Sequence, residues 1–311
     1  MNTFFLDTQT PTLSPQVATI GFFDGVHKGH RFLIDKVKSR ARADGMQSMV
    51  ITFDKHPRQV LGANYRPQML STFGEKLVLL SQTGVDNCAV IPFSREVAQL
   101  SAREFMEQVL RDRLHVRTLI IGYDNRFGHN REETFGDYVK YGRELGIQVV
   151  QNEVFVLNGI NVSSSVIRAF LQEGEVDMAR LCLSYPYTLS GKVVKGFQEG
   201  RRLGFPTANM DIGDSGKLIP KGGVYAVKAR LSNSMEMKRA MMNIGTRPTF
   251  QGDRQTLETF ILDFQGDIYG EMLHVSFYRK LREEQKFQSV AELRKQLLED
   301  KKMVEEQFRK L

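Results

Sequence analysis

Two histidines stand close together near the start of the chain, inside a stretch rich in glycine. The stretch reads Gly21-Phe-Phe-Asp-Gly-Val-His-Lys-Gly-His30, which places His27 and His30 three residues apart. A short β-branched strand precedes it and an amphipathic helix follows it, so backbone N–H groups and the positive end of a helix dipole meet there. We expect both imidazoles to donate to a triphosphate, with room left by Gly21, Gly25 and Gly29.

Two other interpretations of this histidine pair stay open. The residues also fit an ordinary polar loop, or one arm of a metal site. A zinc site needs a third and a fourth ligand, and only Asp24 is near in the sequence. The chain has no Walker sequence and no G-x-G-x-x-G. Phosphate binding in this part of the chain would therefore depend on the histidines.

A second candidate site begins with a glycine-rich stretch that ends at Pro206-Thr-Ala-Asn209. Proline favours an extended backbone, and extended geometry points Thr207 and Asn209 to the same side. A hydroxyl and an amide oxygen are suitable ligands for Mg²⁺, with phosphate oxygens filling the remaining positions. The same pattern also fits a glycine-rich loop that simply leads into a strand.

A carboxylate stands in an apolar context further along the chain. A strand over residues 257–264 would place Glu258 on the same side as Phe260, Leu262 and Phe264. An unpaired carboxylate among such groups costs several kcal/mol, and sites of this kind often hold a general base. A structural ion pair between Glu258 and an arginine is the alternative.

The first half of the chain alternates apolar strands with amphipathic helices. Strands are predicted over 18–21, 46–53, 87–92, 117–122 and 147–154, and helices over 30–43, 73–82, 101–113 and 134–145. This alternation predicts an α/β fold with a doubly wound parallel sheet, in which ligands bind beyond the carboxyl ends of the strands. The polar residues at those ends are therefore candidates for the site.

One of these strand ends carries a run of serines, Ser163 to Ser165. The run is expected to cap a helix that starts at residue 166, and the same hydroxyl and N–H groups suit an anion. Arg168 in the first turn offers a fork for phosphate oxygens, and both interpretations can hold together. For Asp124, a loop-forming role and a role in positioning the nucleotide or the incoming phosphate both stay open.

The second half has a different periodicity. Strands over 188–195, 223–231, 238–245, 257–264 and 271–280 predict a small antiparallel β-barrel. Ser289-x-x-Glu292 is expected to cap a long C-terminal helix. We therefore predict two domains, residues 1–185 and residues 186–311.

Composition limits the classes of function. The chain has 311 residues and a formal net charge of +7, with the basic excess mostly in residues 186–311. No basic run with interleaved aromatic residues occurs, so anionic small molecules are favoured over nucleic acid as partners. The absence of a long apolar run argues against a membrane partner and favours the cytoplasm. Cys88 and Cys182 stand in apolar surroundings and are expected to be buried thiols.

Taken together, these motifs resemble the prokaryotic bifunctional riboflavin kinase/FMN adenylyltransferase family, also called FAD synthetase, over nearly the full length of the chain. In the first half the resemblance rests on the histidine stretch, Gly122-Tyr-Asp-Asn-Arg-Phe-Gly128 and Ser163-Ser-Ser-Val-Ile-Arg168. In the second half it rests on Gly204-Phe-Pro-Thr-Ala-Asn209, Gly223-Val-Tyr-Ala226, Asn243-Ile-Gly-Thr-Arg-Pro-Thr-Phe250 and Glu258 with Asp263-Phe264.

The resemblance implies a nucleotidyltransferase domain followed by a kinase domain, and two ATP-dependent steps. Riboflavin is phosphorylated to FMN in the barrel, and FMN is adenylylated to FAD in the first domain, with release of pyrophosphate. The implied ATP-binding residues of the first domain are Gly21, Phe23, Asp24, Gly25, His27, His30, Ser163, Ser164 and Arg168. The residues implied to position FMN or its phosphate are His56, Asp124 and Arg126.

For the kinase domain the resemblance likewise implies a set of site residues. The implied ATP and magnesium site consists of Gly200, Arg201, Gly204, Pro206, Thr207 and Asn209. Thr207 and Asn209 would be the magnesium ligands, and Glu258 would take the proton from the ribityl hydroxyl.

The sequence departs from the family pattern at three places. Asp54-Lys-His-Pro57 stands where the family usually has Glu-Pro-His-Pro, Ser165 replaces a threonine, and the loop at 128–136 is longer. Two other functions fit part of the pattern. A cytidylyltransferase with one activity would leave the barrel unexplained, and a non-catalytic flavin-binding regulator would not need His27, His30 and Glu258.

Overall fold

The computed structural model describes residues 1–7, 12–56, 62, 68–123, 125–129, 132–196, 200, 203–249 and 252–309. The chain forms two compact units, Met1–Ser164 and Ser165–Leu311.

The first unit contains a parallel sheet of six strands in the order β1-β4-β3-β2-β5-β6. Each pair of neighbours runs in parallel. The strands are β1 (Asn2–Phe5), β2 (Gln16–Ile20), β3 (Gln47–Phe53), β4 (Asn87–Ile91), β5 (Val116–Ile121) and β6 (Gln148–Gln151). The predicted parallel sheet is confirmed, and β1 is an additional strand at its edge.

Helices cover both faces of this sheet. They are α1 (Lys28–Ala43), α2 (Phe73–Ser81), α3 (Arg95–Gln99), α4 (Ala102–Glu104), which continues as a π-helical segment Phe105–Arg111, and α5 (Phe135–Leu145). Successive strand residues enter opposite cores: Val50 packs with the side chains of α1, whereas Met49 and Ile51 pack with those of α4 and α5. Burial on both faces explains why the strand sequences are continuously apolar.

A short hairpin and two helices follow the sheet. They are β7 (Val156–Leu157), β8 (Ile160–Asn161), α6 (Ser164–Glu173) and α7 (Val176–Leu183). The helix predicted to start at residue 166 begins at Ser164, so two of the three serines lie inside it. Both helices pack within the second unit, where the Lys221 N–H donates to the carbonyl of Leu171 at 3.0 Å. Their assignment to the first domain, with a boundary after residue 185, stays a prediction.

The second unit is built on a closed antiparallel barrel with the order β10-β13-β12-β11-β14-β9. Its strands are β9 (Thr188–Val194), β10 (Ala208–Asp211), β11 (Gly223–Leu231), β12 (Lys238–Thr249), β13 (Gly252–Ile261) and β14 (Met272–Arg282). Closure pairs every strand on both sides and removes the exposed edges of an open sheet. The predicted barrel is confirmed, with β10 as an additional short strand.

The C-terminal helix α8 (Val290–Arg309) packs against the barrel. Its start is capped as predicted, because Ser289 Oγ accepts the Glu292 N–H at 3.2 Å. Arg282 at the end of β14 forms a bidentate ion pair with the fully buried Asp300, with N–O distances of 2.8 to 3.2 Å. Breaking such a buried pair typically costs about 3–5 kcal/mol, so this pair fixes the helix on the barrel.

Both cysteines, Cys88 and Cys182, are buried, as predicted. Within the ranges that the structure describes, no helix combines the length and the hydropathy needed to cross a membrane.

Candidate functional site

The turn between β2 and α1 has an unusual backbone. Phe23 adopts φ 55° and ψ 37°, Gly25 has φ 75°, and Val26 has φ 36°. Left-handed conformations are costly for residues with a side chain, above all for a β-branched one such as Val26. His27 then returns to an extended conformation and caps the N-terminus of α1. The turn therefore depends on contacts from outside to hold its shape.

The two histidines stack on each other at the start of α1. Their ring centroids are 3.6 Å apart and their planes differ by 18°. His27 Nδ1 accepts the backbone N–H of His30 at 3.3 Å. The proton of the neutral His27 ring is therefore on Nε2, which becomes its hydrogen-bond donor.

His30 is held in its neutral form. Burial, followed by the nearby charges of His27 and Lys76, lowers the pKa of His30 well below its usual value of 6.5. Its Nδ1 is buried and has no hydrogen-bond partner among the described residues. Such an unsatisfied group costs about 1–3 kcal/mol and points to a function. A neutral imidazole that still lacks a partner fits a site completed by a ligand.

Asp24 is an anchor of the turn. Its carboxylate accepts the N–H groups of Leu70 and Ser71 at 3.0 Å and the hydroxyl of Ser71 at 3.2 Å. Ser71 Oγ in turn accepts the Gly25 N–H at 3.0 Å. These bonds tie the turn to the segment that leads into α2. The contact of Asp24 with ATP stays a prediction.

Three other segments of the first unit meet the turn. The side-chain amide of Asn125 donates to the carbonyl of Ile20, the last residue of β2. The His56 ring approaches the Phe22 ring edge to face, with centroids 4.8 Å apart. Ser164 Oγ donates to the carbonyl of Asp24 at 3.1 Å. The loops after β2, β3 and β5 therefore come together with Ser164, the last residue of the first unit, as expected for the carboxyl end of a parallel sheet.

The remaining predicted residues of the first site differ in what the structure shows. Gly21 donates its N–H to the carbonyl of Ile51 at 3.0 Å. Arg126 is exposed and lines a cavity of about 360 Å³ together with Asn125 and Glu133. Ser163 is half-buried, and Arg168 lies on α6. Asp124 falls outside the described residues. Within the described ranges no three His, Cys, Asp or Glu side chains group as metal ligands.

In the second unit, Glu258 on β13 stands between two asparagines. The strand register pairs it with Asn209 of β10 on one side and with Asn243 of β12 on the other. Directly opposed residues on neighbouring strands project to the same face of a sheet. Two amides and one carboxylate therefore form a row across three strands. Asn243 was part of a family motif in the sequence, but its place beside Glu258 emerges only from the pairing of β12 and β13.

Two residues of this row, Glu258 and Asn243, line a cavity of about 260 Å³ between the barrel and α8. Its apolar lining comes mainly from Phe205, Phe260 and Leu297. Its polar lining consists of Thr207, Asn243, Glu258, Arg282, Glu284, Gln285 and Asp300. Phe260 shares the face of Glu258, as predicted, and both line this cavity. The site is a slot that combines apolar side chains with charged ones, and the Glu258 carboxylate is among the charged groups.

The prediction for Phe264 was wrong. Strand β13 ends at Ile261, and Asp263 has a φ of 54°, which breaks the alternation of side chains. Phe264 instead lines a second cavity of about 330 Å³, together with Thr259, Ile261 and Pro206. Thr207 lines both cavities and so stands between them.

The glycines of this second site permit close packing. A Cβ on Gly196 would overlap the side-chain amide of Asn209, so only glycine leaves space for that amide. Gly200 accepts the Phe205 N–H through its carbonyl at 2.8 Å, and Gly204 has a φ of 81°. Arg201 falls outside the described residues.

Comparisons with known proteins match the two parts of the chain to two enzyme families. A family model described as FAD synthetase matches residues 9–166, and one described as riboflavin kinase matches residues 183–308. The bifunctional riboflavin kinase/FMN adenylyltransferase of Escherichia coli K12 is 37% identical over 292 residues, which is 94% of this chain and 92% of that protein. The enzymes of the same name from Listeria monocytogenes and Bacillus subtilis are 38% and 34% identical, over 95% and 92% of this chain and 93% and 90% of their own lengths.

One solved structure is similar along its whole length. It is titled macrolide-efflux protein from Streptococcus pneumoniae, with a TM-score of 0.89, 30% sequence identity, and coverage of 98% of this chain and 99% of that one. Both units described above therefore have counterparts in a single known chain. The chain belongs to the bifunctional riboflavin kinase/FMN adenylyltransferase family, whose members are transferases that use ATP to convert riboflavin to FMN and FMN to FAD.

Proposed function

We propose that the histidine turn is the site of adenylyl transfer and that the row Asn209-Glu258-Asn243 marks the site of phosphoryl transfer to riboflavin. The observation that carries this proposal is the position of the two sites within the matched segments. The turn lies within residues 9–166, which match FAD synthetase, and the row lies within residues 183–308, which match riboflavin kinase.

In the first site, the His27 Nε2–H donates to the triphosphate of ATP. His30, stacked on His27, adds its ring to the contact, and the first N–H groups of α1 add the positive end of the helix dipole. A phosphate oxygen of FMN attacks the α-phosphorus, the bond to the β-phosphate breaks, and pyrophosphate leaves. Negative charge that develops on the leaving group is stabilised by these donors, and no covalent intermediate is needed.

The other residues of the first site serve to orient the substrates. Ser164 and Arg168 of α6 add a hydroxyl and a guanidinium to the phosphate contacts. His56, Asp124 and Arg126 follow β3 and β5 and position FMN or its phosphate. The contact between His56 and Phe22 supports the assignment of His56, because Phe22 belongs to the turn itself.

In the second site, the carboxylate of Glu258 accepts the proton of the ribityl hydroxyl. The hydroxyl oxygen attacks the γ-phosphorus of ATP, the bond to the β-phosphate breaks, and ADP leaves. The slot beside Glu258 suits the isoalloxazine ring, and the second cavity suits ATP. Thr207 stands where the two cavities meet, which is where the transferred phosphoryl group must pass. Arg282, which lines the slot, is held by Asp300.

Thr207 and Asn209 would hold Mg²⁺. Both offer neutral oxygens of the kind that Mg²⁺ prefers, and the space kept open by Gly196 allows the Asn209 amide to adopt its position. Magnesium supplies neutralisation of phosphate charge in reactions of this type. Thr207 and Asn209 then orient the phosphates relative to Glu258.

The exchange of Thr207 for valine or serine tests the second site. Thr207→Val has a similar shape but no hydroxyl, and it should lower FMN formation by about 10²-fold and raise the Mg²⁺ concentration needed for half-maximal rate. Thr207→Ser keeps the hydroxyl and should retain most of the activity. Adenylylation of added FMN should be unchanged in both variants. Equal FMN formation by the two variants would contradict the proposed role of Thr207.

For the cellular location, we propose the cytoplasm, where riboflavin and ATP meet. Fractionation of cells that express the full chain, followed by an assay of FAD formation in each fraction, tests this proposal. Activity confined to the membrane fraction would contradict it.

A further inference from the structure

A buried lysine lies beneath the histidine turn. Lys76, in the first turn of α2, is only 2% exposed. No carboxylate of the described residues forms an ion pair with its ammonium group. Lysines are almost never fully buried without a charged partner, because removing an ammonium from water is costly. The presence of Lys76 at this place therefore calls for a function.

The ammonium of Lys76 joins the ends of two neighbouring strands. It donates to the carbonyl of Phe53 at 2.7 Å and, at 3.2 Å each, to the carbonyl of Phe22 and to Thr52 Oγ1. Thr52 and Phe53 close β3, and Phe22 is the second residue after β2. The Phe22 ring also lies 4.1 Å from the ammonium, at a distance suited to a cation–π contact. Lys76 thus fixes Phe22, which lies at the start of the histidine turn.

The same part of the chain holds the turn at a second point. Ser71, five residues before Lys76, binds both Asp24 and the N–H of Gly25. Phe23, between these two anchors, and Gly25, at the second one, both adopt left-handed conformations. A strained turn keeps its shape only where its surroundings fix it on more than one side. Lys76 provides the fixed point at the start of the turn, and Ser71 provides the one in its middle.

Lys76 also affects the electrostatics of the site. Its charge contributes to the lowered pKa of His30, together with burial and His27. Burial lowers the pKa of Lys76 itself to about 8, against the opposing effects of Asp24, Cys88 and Asp54. A charge in a buried position is screened less by salt than one in water, so its effect on a bound anion is strong.

We propose that Lys76 is a positioning residue for adenylyl transfer, which holds the histidine turn in its active shape and supplies a fixed positive charge behind His30. Lys76 acts through the turn and has no contact with the reacting atoms. The proposal rests on the proposed role of His27 and His30 in binding the triphosphate.

The test compares two lysines of the first unit. Lys76→Met keeps the length of the side chain and removes its charge and its three donors. Lys38→Met is the matched control, because Lys38 also donates to a backbone carbonyl, that of Thr83 at 2.6 Å, without contacting the turn. We expect Lys76→Met to lower kcat/KM for ATP in FMN adenylylation by about 10- to 100-fold, through both kcat and KM. Lys38→Met should stay within about twofold of the wild type.

Two further measurements separate positioning from mere stabilisation. FMN formation by the barrel should be unchanged in Lys76→Met, since that site lies in the other unit. The pKa of His30, followed by NMR of its ring nitrogens, should rise in Lys76→Met because one of the three causes that lower it is gone. Lys38→Met should leave the pKa of His30 unchanged. If Lys76→Met does not fold, Lys76→Gln, which is neutral but keeps two donors, takes its place in the same assays.

The proposal is overturned if the neutral variant adenylylates FMN with the wild-type kcat/KM, or if its loss reflects only a smaller folded fraction with an unshifted His30 titration. A different result is expected if the histidine turn is not the site of adenylyl transfer. In that case His30→Ala itself would form FAD at the normal rate, whatever the outcome at Lys76.

Discussion

His27 and His30 stack at 3.6 Å while the ring of the first accepts the backbone N–H of the second. This arrangement excludes a doubly charged pair. Two imidazolium rings at such a distance repel each other, and a protonated Nδ1 on His27 could no longer accept the N–H of His30. The two rings are therefore not both imidazolium ions, and the positive charge next to His30 comes from another residue, Lys76.

The neutral state of His30 predicts how the stability of the first unit depends on pH. The pKa of His30 is lowered in the folded chain by burial, His27 and Lys76. As the pH falls below about 6.5, the unfolded chain binds a proton that the folded one rejects, so the free energy of unfolding decreases by up to about 1.4 kcal/mol per pH unit. The loss should be smaller in His30→Asn, which has no proton to bind.

Calorimetric unfolding of the full chain between pH 5 and pH 8 measures this effect. The transition that belongs to the first unit should move to lower temperature on acidification, and less so in His30→Asn than in the wild type. A difference between the two proteins that stays constant over this pH range would show that His30 titrates normally in the folded state.

Gly196 is expected to be essential for phosphoryl transfer alone. In Gly196→Ala the new methyl group would overlap the amide of Asn209, whose Cγ would lie 2.6 Å away. The amide must then move out of the row that it shares with Glu258, and we expect FMN formation to fall by about 10²-fold. Adenylylation of added FMN should stay at the wild-type rate.

Gly213→Ala serves as the control in the same unit. Gly213 has a φ of 54° but nothing within 4 Å of a new Cβ, so this substitution adds backbone strain without touching the site. The Gly213→Ala variant should form FMN at a rate near that of the wild type. A loss of FMN formation as large as that of Gly196→Ala would show that glycine strain, and not the position of Asn209, limits the reaction.

How far the sequence predicts the structure depends on the range of the interactions involved. The inner strands of the sheet and the barrel were predicted because their hydrophobic periodicity is local. β1 was missed because it has four residues, none of them buried. The error at Phe264 has a local cause too, since a single left-handed residue, Asp263, reverses the side of the following chain.

For the residues of the two sites, too, prediction from the sequence succeeds where the signal is local. His27, His30, Thr207, Asn209 and Glu258 stand in motifs, and the sequence singles them out. Lys76 and Asn125 depend on contacts with distant segments, at Phe53 and at Ile20, and no pattern in the sequence reveals these partners. One signal was available for Lys76. It lies one helical turn before the buried Leu80, on the apolar side of its helix, where a lysine is unusual.

The ion pair between Arg282 and Asp300 should control the stability of the second unit. Asp300→Ala leaves the Arg282 guanidinium without its buried partner, and we expect a loss of about 3–5 kcal/mol in the free energy of unfolding. Glu305→Ala on the same helix removes an ion pair with Lys301 at 3.9 Å, in which both side chains are about a third exposed. Glu305→Ala, as the control, should lower the free energy of unfolding by no more than about 1 kcal/mol.

Urea unfolding followed by circular dichroism compares these variants. The double variant with Arg282→Met and Asp300→Leu should recover much of the lost stability, because no buried charge is left without a partner. Equal unfolding midpoints for Asp300→Ala and Glu305→Ala would contradict this account of how α8 is held on the barrel.

The flavin products formed by single-site variants test the central claim, that one chain carries two separate nucleotide sites. Purified protein is incubated with riboflavin, ATP and Mg²⁺, and riboflavin, FMN and FAD are separated by chromatography over time. Glu258→Ala should form no FMN but should convert added FMN to FAD at the wild-type rate, whereas His30→Ala should accumulate FMN and stop there. If either variant, correctly folded, loses both steps together, or if His30→Ala forms FAD normally, the division into two sites is contradicted.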